Sequence, residues 1–89
     1  MIERQVDIVN RLGLHARAAA KFVHLAGRFT SKITVLKDNE HVDAKSILGL
    51  LLLAAAQGAS VTIRCEGEDE GEALAALVSL VSDRFEEES

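Results

Sequence analysis

His15 and Arg17 stand two residues apart in the stretch GLHARAAAKFV, residues 13–23. Histidine changes charge near neutral pH, and its neutral ring offers a lone pair that can attack phosphorus. Arginine is a fixed cation whose planar guanidinium grips phosphoryl oxygens in pairs. The three alanines that follow are strong helix formers, and Ala19, Phe22, Val23 and Ala26 recur at helical spacing. The histidine therefore falls at the head of a helix. There the first backbone N–H groups, at residues such as Ala16 and Arg17, lack partners within the helix, and the aligned peptide dipoles add positive potential. Such a helix start attracts anions. It disfavours a positively charged ring, which keeps the imidazole nucleophilic, and it favours the dianion of a phosphorylated one. Phosphoryl transfer asks mainly for positioning and charge neutralisation, so a helix end and two side chains can serve it. Residue types alone do not choose between the two ring nitrogens. A histidine near a helix start is also commonly a cap or a plain surface residue, and spacing by itself leaves that alternative open. Arg11 and Lys45 are candidates for longer-range positive potential.

The elements that must position this pair follow from periodicity. Val6 and Ile8 alternate with polar neighbours as in a half-buried strand. Gly27 is a helix stop. KITVL (32–36) alternates and is β-branched, KDNE (37–40) reads as a tight turn, and HVDA (41–44) as a short return strand. Ser46 stands as an N-cap before the apolar run ILGLLLLAA. In VTIRC, Val61, Ile63 and Cys65 share a face. Acidic residues from Glu66 to Glu72 load the start of a last helix, as the macrodipole prefers. Its Leu74, Leu77, Val78 and Val81 form a core-facing stripe. The order β-α-β-β-α-β-α implies an α+β fold, a four-stranded sheet with three helices on one face. Phe29 and Phe85 are core candidates. The 89 residues are expected to form one domain spanning 1–89.

Composition narrows the function classes. With 48% hydrophobic and 27% charged residues, the chain is globular rather than disordered. Three phenylalanines as the only aromatics offer little for stacking on bases, and with a net charge of −4 this argues against nucleic acid as a partner. The charge is unevenly spread: residues 1–65 hold nine basic against five acidic side chains, residues 66–89 one against nine. The basic His15 half suits an anionic ligand or an acidic partner surface; an ordinary surface beside a solvated acidic tail fits the same charges equally well. Cys65 is the sole cysteine, which excludes an internal disulfide and fits a reducing cytoplasm. The first ten residues are charged and alternating, unlike a secretory signal, and no apolar run is long enough to insert in a membrane. His24 lies nine residues from His15, roughly 13 Å along a helix and half a turn around it, so the two cannot share a metal. His24 and His41 read as surface residues. The acids Glu66, Glu68, Asp69 and Glu70 lack calcium-loop spacing, and helix capping accounts for them. No metal and no cofactor is expected. Not all of Leu48, Leu50, Leu51, Leu52 and Leu53 can face the core of a short helix, so some are exposed and suit a protein interface.

The segments GLHARAAAKFV, AKSILGLLLLAAAQG and VTIRCEGEDE together resemble the HPr family, the histidine-containing phosphocarriers of the bacterial phosphotransferase system. The similarity runs from Val6 to about Val81 in the same element order and implies an open-faced β-sandwich. It implies that His15 accepts a phosphoryl group on Nδ1 from enzyme I, itself charged by phosphoenolpyruvate, and passes it to an EIIA-type acceptor. Arg17 would stabilise the phosphoryl group, and Ser46 would be the residue that HPr kinase/phosphorylase modifies in some bacteria. Ile47, Leu48 and Leu51 would form the docking patch for partners. One departure stands out: Ala18 replaces the proline that usually follows the motif's arginine. Alanine is a strong helix former, so the helix start survives the change. Such a chain forms a covalent intermediate without turning over a small substrate of its own. Two alternatives are a carrier in the nitrogen-regulatory branch of the same system, and a module that binds partners through Ile47, Leu48 and Leu51 without being phosphorylated.

Overall fold

The computed structural model describes residues 1–89. Its elements are β1 (Ile2–Asp7), α1 (Ala16–Ala26), β2 (Lys32–Lys37), β3 (Glu40–Asp43), α2 (Ile47–Leu52), β4 (Ser60–Glu66) and α3 (Glu70–Ser82), followed by a 3-10 turn at Arg84–Glu86. The first seven elements come in the expected order. The four strands form one sheet in the order β1-β4-β2-β3, with every neighbouring pair antiparallel. The last strand is thus inserted between the first two. Alternation puts Val6, Ile33, Val35, Val61, Ile63 and Cys65 on the covered face, and the register pairs Val6 with Val61 and Val35 with Ile63. The polar set faces the other way, where Arg64 lies opposite Glu3 and its Nε donates to Oε1 at 2.8 Å. One face buried and one wet makes this an open-faced sandwich.

The helices supply the cover. In α1 the buried positions are Ala18, Ala19, Phe22 and Ala26. Ala18 joins the expected stripe, and Val23 moves to its half-buried flank. In α3 they are Ala73, Leu77 and Val81, with Leu74 and Val78 partly buried beside them. Gly27 ends α1, but with a right-handed φ of −66°, its N–H still bonded to the Val23 carbonyl. It stops the helix as a weak helix former and not through the left-handed turn that glycine often provides. Ser46 caps α2 as expected: its Oγ accepts the Gly49 N–H at 3.0 Å.

Two features depart from the sequence reading. Asp69 precedes α3 but makes no side-chain cap on it. Its carboxylate instead accepts the N–H groups of Thr30 and Ser31, at 2.9 and 3.0 Å, and the Ser31 hydroxyl. These bonds, led by that hydroxyl, hold the Asp69 carboxyl below the usual carboxylate range. The residue ties the start of α3 to the loop before β2. The second departure is the tail. Arg84, Phe85 and Glu86 are consecutive left-handed residues with φ of 57°, 52° and 66°, a conformation that costs roughly 1–2 kcal/mol at each non-glycine position. Phe85 offsets this by being wholly buried. Lys21 Nζ also donates to its carbonyl at 2.8 Å. The acidic tail is therefore folded back on α1 and not free in solvent. Phe29, by contrast, is only partly buried.

Candidate functional site

The approach to His15 is set by Gly13. Its φ is +68°, and a Cβ there would meet the Ala55 carbonyl oxygen at 2.6 Å and the Ala56 Cα at 2.9 Å. Only glycine fits both the angle and the space. The next residue, Leu14, is buried, and its N–H donates to the Ala55 carbonyl at 2.8 Å. This ladder to the loop after α2 fixes the backbone just where the helix begins. His15 is the N-cap of α1, in extended conformation, and its side chain makes no bond to the helix's own amides. Those of Ala16, Arg17 and Ala18 have no partner in the chain, the first intrahelical bond running from Ala19 N–H to the His15 carbonyl. No acidic residue occupies the first turn. Ala18 thus carries a backbone hydrogen that a proline in its place would lack.

The ring itself is held by a residue that sequence reasoning missed. His15 Nε2 lies 2.5 Å from Oε2 of Glu87, 72 positions away in the chain. The other oxygen of Glu87 accepts the side-chain amide of Asn10 at 2.9 Å, and the same Nδ2 donates to the Gly13 carbonyl at 2.8 Å. Asn10 is wholly buried. Its amide first, and then the bond from His15, holds the Glu87 carboxyl below its ordinary range. The sign of the linkage follows: docking of the tail contributes stability above the free carboxyl's range and loses it as pH falls through the lowered value. An ionised carboxylate can only accept, so the short contact places the ring hydrogen on Nε2. Nδ1 has no hydrogen-bond partner within the chain, and the side chain keeps about 24% of its surface exposed. The sequence pointed to the amides at the helix start and not to the carboxylate beside the ring.

Of the other expected site residues, Arg17 is exposed and engaged in no ion pair, so its guanidinium is free for an incoming anion. Arg11 is exposed as well. Lys45 does not serve the site: its Nζ donates to the Phe29 carbonyl at 2.8 Å, past the far end of the eleven-residue α1. Ile47 and Leu48 are exposed, 43% and 68%, and Leu52 joins them at 67%. Leu51 is half-buried and packs against the core. The exposed apolar edge of α2 is thus formed by Ile47, Leu48 and Leu52, with Leu12 exposed in the loop before His15. His24 and His41 are on the surface. Cys65 is buried, and its thiol is pushed up by burial and then by the charges of Glu70 and Asp69, which leaves it unreactive. A groove of about 560 Å³ runs beside β2 and β3 among Lys32, Thr34, His41 and Arg64 and contains neither His15 nor Arg17. The histidine site is an open surface, which suits reaction with another protein and not with an enclosed small substrate.

An open-faced sandwich with a half-exposed histidine at a helix start and an apolar edge nearby defines a small carrier of a protein-bound phosphoryl group. Comparison with known proteins agrees. The family pattern described as "PTS HPr component phosphorylation site" matches residues 2–83. The chain is 48% identical to the phosphocarrier protein HPr of Cupriavidus necator over 87 residues, 98% of each chain. It is 50% identical to that of Pseudomonas aeruginosa over 84 residues, 93% of each. The crystal structure of HPr from Thermoanaerobacter tengcongensis superposes with a TM-score of 0.96, at 49% identity and complete coverage of both chains. The chain belongs to the HPr family, the phosphocarriers of the phosphotransferase system.

Proposed function

We propose that His15 is the residue that carries the phosphoryl group, taking it on Nδ1 from phospho-enzyme I and giving it to an EIIA-type acceptor in the cytoplasm. The observation that carries this reading is the pairing of an unbonded Nδ1 with three unpartnered amides at the start of α1. The ring nitrogen brings the lone pair, and the amides receive the oxygens of the product. Mixing the protein with phosphoenolpyruvate and enzyme I tests it: the carrier gains an acid-labile, base-stable phosphate, whereas a pure binding module gains none.

Arg17 stabilises the phosphoryl oxygens. Its exposure and freedom from ion pairs support the role, because no internal contact must be broken first. Arg17→Ala slows phosphoryl uptake by roughly tenfold to a hundredfold, the loss of one charge-assisted, two-pronged contact. Rapid-quench measurement of labelled phosphate on the protein checks this, and an unchanged rate would refute it.

Partners dock on the apolar surface of Ile47, Leu48 and Leu51, extended by the exposed Leu52. Ser46 is the regulatory residue, open to HPr kinase/phosphorylase. A phosphate there keeps a cap oxygen at the helix start but adds about two negative charges beside the docking leucines. Ser46→Asp reproduces part of this. Aspartate is as good a cap as serine, so the unfolding midpoint stays close to wild type, while phosphorylation by enzyme I slows roughly tenfold through a weakened encounter. Equal transfer rates for the two proteins would remove the mechanism.

A further inference from the structure

We propose that Glu87 is a positioning residue for the transfer: its carboxylate keeps the ring hydrogen of His15 on Nε2, so that Nδ1 alone presents the attacking lone pair, and it balances the charge the ring gains when the N–P bond forms. The inference rests on the phosphocarrier reading of His15 and adds to it a group from the far end of the chain.

Three independent restraints put the carboxylate in place. Oε2 meets Nε2 at 2.5 Å, and the buried Asn10 amide holds Oε1 at 2.9 Å. Asn10 is bonded in turn to the Gly13 carbonyl, so the same side chain sets both the tail and the backbone that delivers the histidine. The left-handed run Arg84–Glu86 turns the chain back toward α1, and buried Phe85 anchors it. Lys21 secures the turn through the Phe85 carbonyl and lies 3.8 Å from Glu86. A solvated tail would have no reason to hold three strained residues in a row.

The chemistry balances without moving a proton. On uptake, the Nδ1 lone pair forms the bond to phosphorus, and the donor atom keeps the electron pair of the bond that breaks. The hydrogen stays on Nε2, so the ring becomes cationic against the Glu87 carboxylate. On release, the N–P electrons return to Nδ1 as the acceptor's nucleophile bonds to phosphorus. The neutral Nε2–H form is restored. A carboxylate that orients a histidine and stabilises its cationic form plays the same part beside nucleophilic serines.

Proton and nitrogen NMR of the His15 ring, together with phosphate uptake at saturating phospho-enzyme I, tests this in the full chain. In wild type, Nε2 bears the hydrogen and gives a signal protected from exchange with water, and Nδ1 shows the shift of an unprotonated nitrogen. Glu87→Ala loses that protection, and its uptake falls roughly tenfold or more, as expected for a lost charge-assisted bond. Glu87→Gln still accepts the N–H through its amide oxygen, so it keeps the signal, but without the charge its rate lies between the other two. A wild-type ring hydrogen on Nδ1, an Ala variant that transfers at the wild-type rate, or one that slows with its Nε2–H signal unchanged overturns the proposal. Failure of wild type to gain phosphate would instead refute the carrier reading, and the ring spectra would still decide whether Glu87 holds the hydrogen.

Discussion

His15→Ala gains no acid-labile phosphate from phospho-enzyme I, while its amide spectrum and unfolding midpoint stay near those of wild type. The loss is complete because no second group can replace the nucleophile. His24 and His41 are exposed but stand apart from the helix start, and Cys65 is buried with its thiol held protonated. The fold survives because the ring is only part of the surface: about a quarter of it is in water, and its one hydrogen bond within the chain is to a tail carboxylate. Alanine is a poor N-cap, yet the histidine side chain makes no cap bond to lose. Measuring uptake and urea unfolding on the same preparation separates the chemical role from a structural one. Phosphate on the alanine variant would move the site elsewhere.

Phe85→Ala carries the largest expected stability loss, about 3–5 kcal/mol, the range for emptying an aromatic site in a packed core. For a chain of this size with roughly 5–10 kcal/mol in total, that is a substantial fraction. Phe85 has no exposed surface, and its neighbours across the core include Ile8, Leu14, Phe22, Leu50 and Val81. Its side chain also underwrites the strained turn, so the variant releases the tail and Glu87 with it. Urea titration reads the first effect and the protected His15 Nε2–H signal the second. Glu87→Ala, which opens no cavity, shifts the ring signal with little change in the unfolding midpoint. A Phe85 variant as stable as wild type would mean that the tail is not part of the core.

The docking edge shows how periodicity narrows a choice without completing it. Five leucines in a six-residue helix and its exit cannot all be buried, which foretold exposure. Which ones are exposed depends on the face that meets the core. Leu50 and Leu53 are buried and Leu51 is half-buried, so Leu48 and Leu52, four residues apart, share the outer face with Ile47. The helix phase is a tertiary fact, set by how α2 packs on α1.

The strands, the helices, the Ser46 cap and the placement of His15 before unpartnered amides were all legible in the chain, because each depends on neighbours within a few residues. Alternation, helical spacing and capping are short-range rules, whereas the fit of Gly13 against Ala55 and Ala56 is a long-range contact. Of the tail, only Phe85 was legible, as a core candidate that the structure buries. Acidic residues at a terminus commonly remain in water, and nothing in the types of Arg84, Phe85 and Glu86 announces a left-handed backbone. Only the packing of Phe85 beside Ile8, just past β1, and residues of α1, α2 and α3 makes that bend worthwhile, and only the bend brings Glu87 across 72 positions to the ring. The sequence therefore determined that a histidine ring stands at the start of α1. Tertiary packing decided which of its nitrogens is free, since that depends on a partner no local rule could place.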